Sequence, residues 1–256
     1  MKNTTHNGPV IDFHAHLGSW PQYGMDGDLA GMIRAMDLAG VDRSCIFNIF
    51  YGDARRGNEA VARAVAQYPD RFIGFAFVTP HYPEEMRPEL GRAVDTLGLK
   101  GLKIYPPYFN RPVTDEVWAP AFEFCQERGL PILSHSWGGD AYCRPTLFAE
   151  LAERYPAVSW VLGHAGGGPE GWEEAIEAAR RVPNLFLEIC GSARTPGSIE
   201  RLVEGAGEDR VLFGSDNPLL DPRIQLGRII TSTLSESAKR QVMGGNAARI
   251  LGLPTP

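Results

Sequence analysis

No apolar run in this 256-residue chain approaches the roughly 18–20 residues needed to cross a bilayer. Residues 1–8 are polar and lack the apolar core of a secretory leader. The expected compartment is therefore the cytoplasm, with no membrane association. Cysteine is scarce. Cys45, Cys125, Cys143 and Cys190 form no C-x-x-C pair, so a disulfide framework and a four-thiolate metal site are both disfavoured. Free thiols are expected. Positive charge is also short, at a net −6, which argues against nucleic acid as a partner. No charge run, low-complexity tract or linker divides the chain, so residues 1–256 read as one domain. The glycine run at 166–168 lacks the lysine and helix context of a phosphate loop, which argues against nucleotide binding. Assembly into a homo-oligomer is left open.

What the chain does have is eight short apolar, β-branched segments, at 10–16, 44–50, 72–78, 101–106, 131–136, 159–165, 185–191 and 211–218. Their starts lie 26 to 34 residues apart. That spacing fits one strand, one helix and two loops per unit, and near-continuous apolar runs fit parallel strands buried on both faces. Helical stripes fill the gaps. Leu29, Met32, Ile33 and Met36 share a face that Gly40 would end. Asn58, Thr114 and Ser198 are expected to cap later helices. Gly244, Gly245 and Asn246 are expected to turn the chain between two short C-terminal helices. Eight β-then-α units predict an α/β fold, a (β/α)8 TIM barrel, rather than a doubly wound sheet.

In such a barrel the reactive residues sit at the C-terminal ends of the strands. Segment one ends in His14 and His16, which the i, i+2 spacing puts on one face. Segment four carries Lys103, segment five ends at His135, segment six at His164, segment seven carries Glu188 and segment eight reaches Asp216. Of six histidines, only His6 and His81 fall elsewhere, and both are expected at the surface. Imidazoles with a carboxylate on one rim suit a borderline divalent ion such as Zn²⁺, with Mn²⁺ the other candidate, and no cysteine is expected among the ligands.

His-x-His after segment one, His135, His164 and Gly-Ser-Asp at 214–216, in that order, resemble the amidohydrolase superfamily, in its amidohydrolase-related branch of hydrolases and decarboxylases. The resemblance runs from His14 to the tail. It implies His14, His16, His135 and Asp216 as ligands of one metal, and His164 as a catalytic residue beside it. It also implies an alternative, two metals bridged by a carboxylated Lys103.

The expected activity is hydrolysis. A metal-activated water would attack a small carbonyl or lactone substrate, itself expected to be a carboxylic acid, with Asp216 moving the proton and His164 steadying the oxyanion. The alternative is non-oxidative decarboxylation of an aromatic or unsaturated acid. A barrel that binds metal without activity is disfavoured by the complete residue set. Lys103, Tyr105, Trp137, Arg194 and Asn217 are the expected contacts of a small-molecule, carboxylic-acid substrate, with Trp20, Tyr23, Tyr108 and Phe109 walling the mouth.

Overall fold

The computed structural model describes residues 8–192 and 194–254, so His6 lies outside the described residues. Among them, eight parallel strands alternate with helices. The strands are β1 (Ile11–His16), β2 (Arg43–Phe47), β3 (Phe72–Gly74 and Ala76–Phe77), β4 (Leu102–Ile104), β5 (Ile132–His135), β6 (Trp160–Gly163), β7 (Leu185–Glu188) and β8 (Val211–Leu212). The main helices are α1 (Leu29–Ala39), α2 (Ala54–Gln67), α3 (Pro83–Gly91), α4 (Ala119–Arg128), α5 (Thr146–Arg154), α6 (Pro169–Arg181), α7 (Ser198–Ala206) and α8 (Pro222–Thr231).

Each strand pairs in parallel with the next. β3 is interrupted at Phe75, whose N–H donates to Ile46 O on β2, while the next N–H, of Ala76, donates to Gly101 O before β4. The strand thus serves its two neighbours in turn. Beyond β8, the chain meets β1 again. Phe13 N–H donates to Phe213 O at 2.9 Å, Asp216 N–H to His14 O at 2.8 Å and His16 N–H to Asn217 O at 2.7 Å. The fold is the expected (β/α)8 barrel.

Alternation along the strands divides the apolar residues into two sets. Phe13, Phe47, Phe75, Leu133, Val161, Phe186 and Leu212 fill the barrel, and Ala247 and Ala248 close it below. Ile46, Leu102, Ile104, Ile132, Leu162 and Leu187 face the helix layer. One irregularity matters for the site. β1 pairs Asp12 with Ser44 and Ala15 with Ile46, so Phe13 and His14 together oppose Cys45. This is a β-bulge, and it turns both residues away from the helix layer.

Several helix boundaries differ from expectation. α2 starts earlier, capped by Asp53, whose side chain accepts from Arg56 N–H. Asn58 is instead buried within that helix and bonds Phe77 through both its amide nitrogen and oxygen. Asp115 rather than Thr114 caps the turn before α4. Ser198 is the first residue of α7 and its hydroxyl donates back to Thr195 O. Residues 244–246 are no turn. The helix runs on through a π-turn, Gln241–Gly245, into Asn246–Ile250. Asn246 Nδ2 donates to Glu208 O and Val211 O, and Gly244 is small because Pro9 O passes against it.

Candidate metal centre

The expected rim residues do converge. His14, His16, Asp216 and Lys103 are buried, and His135 and His164 nearly so. His14 Nε2 and His16 Nε2 lie 3.3 and 3.1 Å from the same oxygen, Asp216 Oδ1. Those are the ligand-to-ligand edges expected around an ion held at about 2.0–2.2 Å by nitrogen and oxygen donors. Lys103 Nζ lies 3.3 Å from His14 Nε2 and 4.7 Å from the centre of the Phe47 ring. The His164 ring is 5.2 Å from that of His14 and 4.6 Å from that of His135. Both His164 and Asp216 have φ of +66°, a left-handed conformation that side chains adopt at a cost and that recurs at functional sites.

Small residues make the convergence sterically feasible. Gly214 occupies an inward position of the segment after β8. A Cβ there would run into the Glu188 carboxylate and lie 2.9 Å from His14 Cβ. The glycine of Gly-Ser-Asp is thus a space requirement of two other strands.

Burial sets the charges. It lowers His14, His16, His135 and His164 below the usual histidine range, so each imidazole is neutral and keeps a lone pair for a cation. Burial works against the Asp216 anion, but a proton carried by the adjacent His14, His164 or His16 outweighs it, so the carboxyl lies well below its ordinary value. Desolvation brings Lys103 down to about 8 and Glu188 up to about 8. Glu188 Oε2 lies 2.7 Å from His14 Nδ1. When ionised it accepts that N–H, and the His14 lone pair then points from Nε2 toward Asp216.

Two residues escaped the sequence. Cys190 Sγ sits 2.9 Å from His14 Nδ1 and 3.2 Å from His164 Nδ1. With His14, His164 and Asp216 it forms a group whose donor atoms all lie within 4.8 Å. The expectation that cysteine stays away from the donors is therefore corrected. The signal was there, since Glu188 and Cys190 repeat the i, i+2 spacing of His14 and His16. Cys190 O also accepts the His164 Nδ1–H at 2.9 Å, which leaves Nε2 as that ring's exchangeable position. Asp12 gave no such signal. Its Oδ1 accepts the N–H of His14, freed by the bulge, at 3.0 Å and that of Ser215 at 2.9 Å.

The other expected contacts are more dispersed. Tyr105 stacks on His135 at 4.3 Å, and the Trp137 ring lies parallel to His135 at 6.1 Å. Asn217 is buried behind Asp216, and its Nδ2 has no partner among the described residues. Arg194 is exposed and its Nε donates to Gly191 O. Arg194 therefore stands at the rim rather than among the donors. His16 Nδ1, His135 Nδ1 and Asn48 Nδ2 are likewise buried without partners. Most such atoms thus gather at the catalytic rim, where a bound group would satisfy them. Neutral imidazoles, an anionic carboxylate and this orphaned polarity fit a divalent metal.

Fold and donor set together define an enzyme of the metal-dependent barrel class. The amidohydrolase family model Amidohydro_2 matches residues 11–253, and the chain belongs to that family. It is 26% identical over 234 residues to 2-amino-3-carboxymuconate-6-semialdehyde decarboxylase of Dictyostelium discoideum, covering 77% of this chain and 65% of that protein. It is 26% identical over 253 residues to gamma-resorcylate decarboxylase of Polaromonas sp., covering 78% and 76%. The chain thus spans about two thirds to three quarters of these relatives. The crystal structure of dihydroxybenzoic acid decarboxylase from Polaromonas sp. JS666, with bound manganese and the inhibitor 2-nitroresorcinol, shares the fold. Its TM-score is 0.75 at 20% identity, over 95% of this chain and 97% of that one. The expectation of a hydrolase is overturned by these relatives, which are decarboxylases. The rim residues do not separate the two chemistries by themselves, because both use an ion, a carboxylate and an imidazole.

No helix among the described residues is long and apolar enough to cross a membrane.

Proposed function

We propose that this enzyme removes CO₂, without oxidation, from a small aromatic or unsaturated carboxylic acid, using one divalent ion. The observation that carries the reading is the convergence of His14 Nε2 and His16 Nε2 on Asp216 Oδ1, in a chain whose named relatives are decarboxylases. His14, His16 and Asp216 hold the ion, with His135 completing the set from β5. The manganese in the dihydroxybenzoic acid decarboxylase structure favours Mn²⁺ over Zn²⁺. A single ion is favoured because Lys103 Nζ already faces His14 and the Phe47 ring.

The ion supplies positive charge for the substrate carboxylate and a neighbouring oxygen. The chain's own residues do the rest. Stacked Tyr105, His135 and Trp137 orient a planar acid. Lys103 adds a cation in the barrel interior. His164, whose Nδ1–H is held by Cys190 O, delivers a proton from Nε2 to the carbon that bears the carboxylate, and the Asp216 carboxylate 3.9 Å from Nδ1 favours the protonated ring. The bond to the carboxyl carbon then breaks, its electron pair returns to the ring or alkene, and CO₂ leaves.

The test is turnover of 2,6-dihydroxybenzoate and related hydroxybenzoates by Mn²⁺-loaded protein in D₂O. One CO₂ per acid consumed, with one deuterium at the vacated carbon, is expected. Consumption of these acids without CO₂, or no consumption by fully loaded protein, would sink the proposal.

A further inference from the structure

Beside the histidines lies a cavity of about 490 Å³, within the range of small-molecule sites. Its walls come from segments that follow β1, β2, β3 and β4, the face where barrel enzymes act. Two rows of rings lead to it from the proposed ligands. One runs from His16 to Phe50 at 5.4 Å and on to Trp20 at 4.8 Å. The other runs from His135 to Tyr105 at 4.3 Å and on to Tyr108 at 3.9 Å. Trp20, Phe50 and Tyr108 all line the cavity, so both rows end there.

Its chemistry is one-sided. None of its lining residues is Asp, Glu, Lys or Arg, and the polar groups are neutral ones such as Thr79 and Gln22, with His81 at the β3 side. His81, expected as an ordinary surface residue, sets its ring edge-on to Phe109 at 5.2 Å. No cation lines it: Arg111 pairs with Asp115 at 3.1 Å, and Arg56 is held against the ring of the wall residue Tyr51 at 4.7 Å. The contrast is the groove beside α3, about 680 Å³, where Asp53, Arg55, Glu84, Glu85, Glu89 and Arg92 contribute charge.

We propose that this cavity receives the part of the substrate remote from the reacting carboxylate, that it takes an uncharged aromatic ring or its hydroxyl or methoxy substituents, and that it rejects a second carboxylate. Ring faces offer stacking to a planar occupant. A carboxylate there would lose its hydration and gain no cationic partner. Phe50, in contact with both His16 and the cavity, is the residue that sets this preference. The inference rests on the decarboxylase reading of the adjoining site, and it predicts that the substrate is a monocarboxylic acid.

The experiment measures binding to Mn²⁺-loaded protein by calorimetry, with 4-hydroxy-3-methoxybenzoate and benzene-1,3-dicarboxylate as probes. The monocarboxylate is expected to bind at least tenfold more tightly. Phe50→Ala is expected to weaken it at least fivefold while leaving the dicarboxylate unchanged, and Phe50→Leu to restore part of the loss. Tyr108→Ala, at a half-exposed residue, is expected to act in the same direction. Equal binding of the two probes, or a preference that survives both alanine substitutions, overturns the proposal. The readout is independent of turnover. A preserved preference without CO₂ release removes the decarboxylase reading alone, and CO₂ release from a dicarboxylate bound as tightly as the monocarboxylate removes the cavity assignment alone.

Discussion

His135 and His164 are neighbouring imidazoles with different prospects. His135→Ala removes a proposed ligand and is expected to lower bound metal to well under one per chain, as measured by mass spectrometry of the dialysed protein. His164→Ala is expected to keep most of the metal and lose turnover by about 10²–10⁴-fold, the usual scale for a proton-transfer residue. Equal metal loss in both would reverse these roles. Asp12 offers a different test. Burial raises its carboxyl from 3.8 to about 7, despite bonds from Ser215 and from His14 N–H. The unfolded carboxyl is deprotonated above about pH 4 while the folded one keeps its proton to about 7, so the folded state binds more protons in that window. Stability from this group therefore falls as pH rises from 4 to 7 and is flat beyond. Asp12→Asn keeps an oxygen for the two N–H donors and removes the titration. Its melting temperature relative to wild type is expected to improve between pH 4.5 and 7.5, and a constant difference would refute the assignment. These residues also mark what the chain reveals when read alone. His14, His16, His135 and Asp216 are legible because alternation and strand ends fix where they fall. Asp12 is not, because its partner Ser215 is 203 positions away and the bulge reverses the face that alternation assigns.

At the level of elements, strands were read more truly than caps. A buried parallel strand announces itself by a run of apolar residues, whereas a cap depends on one side chain finding one N–H. Asn58 has the composition of a cap but is drawn inward by the buried peptide N–H and C=O of Phe77. The glycines at 244–245 have the composition of a turn, yet they answer to the close passage of the chain before β1. Gly244→Ala is expected to cost about 1–3 kcal/mol, the scale of overpacking in a tight interior, read as a lower urea midpoint with an unchanged slope. A neutral result would show that the π-turn can shift away from Pro9 without loss.

For the molecule as a whole, the barrel was legible from the period of its units, and the reaction was not, because one rim serves more than one chemistry. Metal couples the two levels. Ions bound only by the folded chain stabilise it by about 2.7 kcal/mol at a hundredfold excess over Kd. At roughly 2–4 °C per kcal/mol for a chain of this size, chelation is expected to lower the melting temperature by about 5–10 °C. Re-addition of Mn²⁺ should restore it. An unchanged melting curve through both steps would argue that no ion is held at the rim.

The stitching of β1 to residues 213–217 carries a consequence for the chain while it is being made. His14 and His16 leave the ribosome some two hundred residues before Asp216. At synthesis rates of about 5–20 residues per second, the two histidines wait for tens of seconds or less before their carboxylate partner exists. During that interval the nascent chain has no way to complete the donor set, so premature metal capture by a half-built barrel is disfavoured. With the ligand set proposed above, a polypeptide released before residue 216 would lack its one carboxylate donor, and tight loading would report that translation has reached the last strand.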